Sequence, residues 1–178
     1  NTMDLYTGGG YGIPRQITAE LQPDKHYPSH TGIDFYHRYK DDIRMFADMG
    51  FRALRLSIDW TRIFPNGDDE QPNREGLAFY HGVIDELRRN NIEPIITLFH
   101  FELPIAVVRN YNSWLSRETV ELYLKFVETL VKEYRGKVFY WVTFNEMNHI
   151  DPQAEGSDLF TYILAGLEYS KMENKKQT

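Results

Sequence analysis

The feature of this sequence that most constrains its fold is a helix followed directly by a strand, a pattern that occurs three times. In the first unit, apolar residues fall three or four positions apart from Phe35 up to Gly50, as on one face of a helix. The segment Phe51–Trp60 then alternates as a strand does. The second unit comprises residues 73–91 and 92–101, and the third comprises residues 116–137 and 138–146.

Strands that alternate with helices form a parallel sheet, which either closes into a barrel or stays open as a doubly wound sheet. A doubly wound nucleotide-binding sheet carries a glycine-rich phosphate loop between a strand and the next helix. The glycine-rich stretch at residues 7–12 precedes the first helix and follows no predicted strand. We therefore predict an α/β fold of the (β/α)8 TIM-barrel type, in which this chain forms a partial barrel of three strands with their helices.

The domain organisation follows from the same pattern. We expect one partial barrel domain over residues 1–178, with an irregular loop segment at 1–34 and a post-strand loop and polar tail at 147–178. A complete barrel takes about 250 residues, so the chain is expected to hold roughly half of one.

Composition argues against several kinds of partner. The chain has 20 Lys and Arg against 26 Asp and Glu, a net charge of −6, so nucleic acid and anionic membranes are poor candidates. It has no cysteine, and its six histidines form no pair at metal-ligand spacing, so we expect no metal site, and no cofactor is implied. No apolar run is long enough to span a bilayer and the start shows no signal peptide, so the expected location is the cytoplasm.

Polar residues mark the carboxyl ends of the three predicted strands. Arg55 lies in the first strand, His100 ends the second, and Asn145 and Glu146 end the third. The reacting groups of a parallel barrel lie at this end of the sheet, so we expect these four side chains to converge. Hydrogen-bonding groups together with one proton-transferring carboxyl suit a sugar substrate.

The same residues also have structural interpretations. Glu146 alone could be a solvated loop acid, and His100 a histidine satisfied within a half-buried turn. Arg55, inside an apolar strand, is expected to be buried and therefore paired with an acceptor. Glu102 and Asp59 are candidates for a second carboxylate, although structural hydrogen bonds are the simpler expectation for both.

Three motifs, "RLSIDWTRIFP", "LFHFELP" and "TFNEMN", resemble glycoside hydrolase family 1, the retaining β-glycosidases built on an eight-fold β/α barrel. The resemblance covers almost the whole chain and implies that the chain holds roughly strands 2 to 4 of the barrel and their helices. "TGGGYGIPRQIT", the Phe and Glu of "HFELP" and the Met of "NEM" are similar to the 6-phospho-β-glucosidase branch. The substrate implied by this resemblance is a small-molecule β-glucoside that carries a 6-phosphate.

The resemblance also implies a role for each candidate residue. Glu146 would be the general acid/base, which protonates the leaving oxygen and later activates water. Asn145 would bind the sugar 2-hydroxyl and His100 another ring hydroxyl. Arg55 would orient the nucleophilic carboxylate and keep it ionised. Asp59 stands where a small residue is expected, which is a departure from the pattern.

The nucleophile implied by the resemblance is a Glu in a Glu-Asn-Gly motif on the seventh strand. The only Glu-Asn here is Glu173 with Asn174, which Lys175 follows in a polar tail, so we interpret it as a coincidence. The chain alone is therefore expected to be an inactive portion of such a hydrolase. Two alternatives stay open: a non-catalytic sugar-binding half-barrel that self-associates through open edges, and a glycosidase for unphosphorylated β-glucosides or β-galactosides.

Overall fold

The computed structural model of the chain describes residues 31–111 and 113–147. Five α-helices and three strands alternate in this part of the chain, with one short 3-10 helix at Ser113–Leu115. In chain order they are α1 (Phe35–Asp48), β1 (Ala53–Ser57), α2 (Trp60–Ile63), α3 (Arg74–Arg89), β2 (Glu93–Phe99), α4 (Ile105–Tyr111), α5 (Arg117–Glu133) and β3 (Tyr140–Phe144).

The three strands form one parallel sheet in the order β1-β2-β3. Two rows of paired residues run across it: Arg55 is level with Ile95 and Tyr140, and, two residues nearer the carboxyl ends, Ser57 is level with Thr97 and Val142. Paired residues of neighbouring strands point to the same side of a sheet. Both rows therefore lie on one face.

The opposite face is covered by helices. Leu54 and Leu56 of β1 pack against a buried cluster that includes Ile43 of α1 and Val83 of α3. A larger aromatic core lies beyond β2 and includes Trp60, whose ring is stacked at 5.3 Å on that of Phe126 in α5. Burial of these apolar faces holds the helices on the sheet. It leaves the carboxyl ends of the strands open for polar residues.

Two predicted helix ends are confirmed by their hydrogen bonds. The Ser116 hydroxyl accepts from the Glu118 amide at 3.2 Å and caps α5. At the end of α1, Gly50 adopts the left-handed φ of 85° that glycine favours, and its amide donates to the Ala47 carbonyl. The central strand β2 is largely buried on both faces, as predicted.

The strands are shorter than the sequence predicted, because the chain turns away soon after each carboxyl end. After β1, Asp59 caps α2, which begins at Trp60. Beyond β2 and β3, Phe101 and Glu146 have left-handed φ values of 76° and 55°, which end the extended backbone. The short helices α2, α4 and the 3-10 helix were not predicted, since three to seven residues show no helical period.

Some predictions fall outside the described residues. These include most of the irregular segment at 1–34, the glycine-rich stretch at 7–12, nearly all of the tail at 147–178, and Glu173 with Asn174. Within the described ranges, none of the helices combines the length and apolar character that crossing a membrane requires.

Candidate active site

A pair of hydrogen bonds joins the three strands near their carboxyl ends. The Arg55 guanidinium on β1 donates from Nε to Thr97 Oγ1 on β2 at 2.8 Å, and from Nη2 to Asn145 Oδ1 beyond β3 at 2.7 Å. The backbone amide of Asn145 also donates to the Phe99 carbonyl at 2.9 Å, which ties the end of β3 to the end of β2. Asn145 is 6% exposed, with its backbone held by Phe99 and its side-chain oxygen held by Arg55.

His100 lies within the electrostatic reach of two other predicted site residues. Burial lowers the pKa of His100, and the positive charge of Arg55 lowers it further, whereas the negative charge of Glu146 raises it. The imidazole is therefore neutral at neutral pH, with one nitrogen that donates and one that accepts a hydrogen bond. Its ring meets the edge of Phe101 at a centroid distance of 5.2 Å.

Glu146 follows Asn145 directly and its side chain is exposed. Its left-handed φ of 55° is matched by a φ of 76° at Phe101, the residue two positions beyond the paired end of β2. Non-glycine residues hold such a backbone only where the surroundings impose it, and such positions cluster at functional sites. The four predicted residues lie together: Arg55 is hydrogen-bonded to Asn145, and the charges of Arg55 and Glu146 both act on His100.

The predicted burial of Arg55 is wrong, because its side chain is exposed. Arg55 points to the sheet face that no helix of the described part covers, and Tyr140 in the same row is 59% exposed. The predicted pairing of Arg55 with acceptors is nevertheless observed.

Asp59 and Glu102 are placed beside the site. The Asp59 carboxylate accepts from the Thr61 amide at 2.8 Å and from its hydroxyl at 2.6 Å, so this departure from the expected small residue is a helix cap. The Asp59 amide donates to the Tyr80 hydroxyl at 2.9 Å. Burial raises the pKa of Glu102 to about 8, and the charge of Asp59 adds to this rise.

Thr97 was not singled out from the sequence. It sits among apolar residues in β2, is fully buried, and provides the acceptor for Arg55 Nε. The signal that could have found it is a hydroxyl residue within an apolar strand, on the face that also carries an arginine of the neighbouring strand.

Among the residues that the structure describes, no group of three or more His, Asp or Glu is arranged to hold a metal ion.

Parallel βα units with grouped polar residues at the strand ends define a protein of the β/α-barrel class. Residues 15–160 match the sequence profile of glycosyl hydrolase family 1. The chain belongs to this family, and the predicted barrel fold class is confirmed.

Two curated relatives carry names from the phosphorylated-substrate branch. Aryl-phospho-β-D-glucosidase BglA of Bacillus subtilis (strain 168) is 44% identical over 177 residues, which are 99% of this chain and 36% of that protein. The 6-phospho-β-glucosidase of Clostridium longisporum is 50% identical over 146 residues, which are 82% of this chain and 29% of that protein. The chain therefore spans about a third of the length of the curated relatives it matches.

Two solved structures show the same arrangement of elements. A rice β-glucosidase superposes with a TM-score of 0.60 at 41% identity, over 62% of this chain and 23% of its own. The β-glucosidase BglU of Micrococcus antarcticus superposes with a TM-score of 0.61 at 38% identity, over 64% of this chain and 24% of its own.

Proposed function

We propose that this chain contributes the acid/base part of the active site of a retaining β-glycosidase that hydrolyses 6-phospho-β-glucosides. The observation that carries the proposal is the grouping of Arg55, His100, Asn145 and Glu146 at the carboxyl ends of three parallel strands. The names of the curated relatives support the phosphorylated substrate.

Glu146 is the proposed general acid/base. Its carboxyl protonates the glycosidic oxygen as the bond to the sugar breaks, and its carboxylate then takes a proton from the water that releases the sugar. A retaining mechanism needs a second carboxylate about 5–5.5 Å away as the nucleophile. We propose that a part of the barrel other than the described residues supplies it, and that the 178-residue chain alone gives no turnover.

Asn145 is proposed to donate a hydrogen bond to the sugar. Its Oδ1 already accepts from Arg55, which orients the side-chain amide and leaves Nδ2 as the group that faces a ligand. A donor fixed in this way holds the sugar 2-hydroxyl in place, and hydrogen bonds to this hydroxyl strengthen as positive charge develops on the sugar in the oxocarbenium-like transition state. Neutral His100 is proposed to bind a neighbouring ring hydroxyl, since it adds no charge to the site.

Hydrolysis of unphosphorylated β-glucosides is the second candidate. The observation that favours it is that both solved structures that this chain matches, at 41% and 38% identity, are of proteins named β-glucosidases. Both candidates use the same roles for Glu146 and Asn145. They differ in whether the sugar carries a phosphate.

Chimeric enzymes distinguish the two candidates. In the first protein, referred to as the chimera, residues 1–178 replace the segment of Bacillus subtilis BglA that they match. In the second protein they replace the matching segment of Micrococcus antarcticus BglU. Each is assayed on p-nitrophenyl β-glucoside and on its 6-phosphate, with folding checked by thermal melting. We expect the chimera to recover a larger share of the kcat/KM of BglA than the second protein recovers of the kcat/KM of BglU. Larger recovery in the BglU host would favour the unphosphorylated substrate.

The cytoplasm remains the proposed location, on the grounds of a chain without cysteine and a phosphorylated substrate. Fractionation of the source cells with antibody detection tests this. A signal in the secreted fraction would contradict it.

A further inference from the structure

We propose that Thr97 is a positioning residue whose buried hydroxyl holds the Arg55 guanidinium where it can orient Asn145. The consequence for catalysis rests on the proposed function. The placement itself rests on hydrogen bonds between residues of β1, β2 and the end of β3.

Arg55 has to reach toward the carboxyl ends of the strands to contact Asn145. Its Cα is level with Ile95 and Tyr140, whereas Thr97 is two residues nearer the carboxyl end of β2 and Asn145 follows β3. The side chain therefore runs along the strand direction. A long side chain in this position can adopt many rotamers, so it needs a partner that holds it in one of them.

Packing alone does not fix this conformation. Arg55 is exposed, and Tyr140, in the same row but two strands away, is 59% exposed, so few neighbours restrict the guanidinium. Thr97, in contrast, is fully buried in the central strand, and its β-branched side chain is confined at χ1. The rigid partner is therefore the threonine, and the mobile partner is the arginine.

The two hydrogen bonds together set the plane of the guanidinium. Nε donates to Thr97 Oγ1 at 2.8 Å and Nη2 donates to Asn145 Oδ1 at 2.7 Å, from different positions on one planar group. If the first contact is lost, the guanidinium can rotate about its stem. Asn145 then loses the partner that orients its amide.

The first test observes the Arg55 Nε proton in the full 178-residue chain, labelled with 15N at arginine. Arg55→Lys identifies the signal, and Arg44, an exposed arginine whose partner is Asp41, provides the reference. We expect the Arg55 Nε proton to exchange with solvent about tenfold more slowly than that of Arg44, because a buried acceptor holds it. Thr97→Val should remove this protection and Thr97→Ser should keep it.

The second test measures kinetics in the chimera. Thr97→Val keeps the shape of the side chain without the hydroxyl, and we expect kcat/KM to fall about tenfold, while Thr97→Ser stays within about threefold. Thr129→Val is the matched control, because among the described residues the Thr129 hydroxyl bonds within α5, to the Lys125 carbonyl, and its loss should leave kcat/KM unchanged.

The outcomes separate this inference from the proposed function. Fast exchange of the Arg55 Nε proton in the unsubstituted chain, or protection that survives Thr97→Val, would overturn the role of Thr97. The first of these needs no Thr97 variant to fold. A chimera without activity would count against the proposed function, and the exchange measurement would still decide whether Thr97 positions Arg55.

Discussion

Glu102 lies two residues beyond His100, and its carboxyl is partly buried next to Asp59. Burial raises the pKa of Glu102 to about 8, so the folded protein keeps this carboxyl protonated at neutral pH. The Tyr80 hydroxyl is buried in the same region, and its pKa is raised by burial and by the charge of Asp59. Burial thus keeps Glu102 neutral, whereas the Tyr80 hydroxyl, with an ordinary pKa of 10.0, is neutral at this pH in any case.

The raised pKa of Glu102 predicts a pH dependence of stability. The ordinary pKa is 4.5, so between about pH 5 and 8 the folded chain binds more protons at this residue than the unfolded chain does. Stability is therefore lost as the pH rises through this window and levels off above it. We expect Glu102→Gln to reduce the fall in melting temperature between pH 5 and pH 8.

Glu128→Gln serves as the control for this measurement, because the Glu128 side chain is 66% exposed on α5. Its melting temperature should follow that of the unsubstituted chain across the same pH range. A Glu102→Gln variant with an unchanged pH profile would show that Glu102 is ionised in the folded protein.

At the scale of elements, two glycines of α3 determine how closely its neighbours approach. A Cβ at Gly76 would lie 2.1 Å from the Arg62 carbonyl oxygen, which belongs to the backbone of α2. A Cβ at Gly82 would lie 2.6 Å from the Tyr39 hydroxyl, the far end of a side chain on α1. Backbone cannot move aside as a side chain can, so the two positions differ in tolerance.

The substitution Gly76→Ala is expected to destabilise the chain by about 1–3 kcal/mol, although alanine normally favours a helix over glycine. Gly82→Ala should cost less, because Tyr39 can shift. Urea denaturation of both variants measures the difference. Equal stability of the two would mean that α2 and α3 are not in close contact at Gly76.

The sequence predicted the long elements well, because α1, α3 and α5 have apolar stripes at helical spacing and Ser116 and Gly50 mark two of their ends. The stripes of α3 and α5 are largely buried, whereas that of α1 is fully buried only at Ile43. The sequence also predicted that Arg55 and Asn145 lie close together, as their hydrogen bond shows, because the carboxyl ends of neighbouring parallel strands meet at one edge of the sheet. It did not predict the partner of Arg55. Which hydroxyl meets a guanidinium depends on the register between β1 and β2, and no local pattern reports that register.

At the scale of the whole molecule, the sheet face that no helix of the described part covers is the feature that most affects behaviour in solution. Tyr140 on this face is 59% exposed, and Phe139, which precedes β3, is 62% exposed. In the described part, β1 and β3 are the edges of the sheet. Open edges and exposed aromatic residues favour pairing with another chain.

We predict that the 178-residue chain self-associates in solution. Light scattering should give a mass above the 21.1 kDa of one chain. Tyr140→Lys should lower the measured mass, whereas Leu124→Lys, at a residue 47% exposed on α5, should leave it unchanged. A sharp monomeric peak with cooperative melting would contradict the prediction.

The most direct test of the account concerns Glu146 in the chimera. Glu146→Gln is compared with the Glu128→Gln control on two phosphorylated β-glucosides, one with a poor alkyl leaving group and one with a good dinitrophenyl leaving group. We expect kcat/KM on the poor leaving group to fall about 10²–10⁴-fold, and on the good one far less, because only the former needs a proton from the acid. Unchanged kcat/KM on the poor leaving group would show that Glu146 is not the general acid.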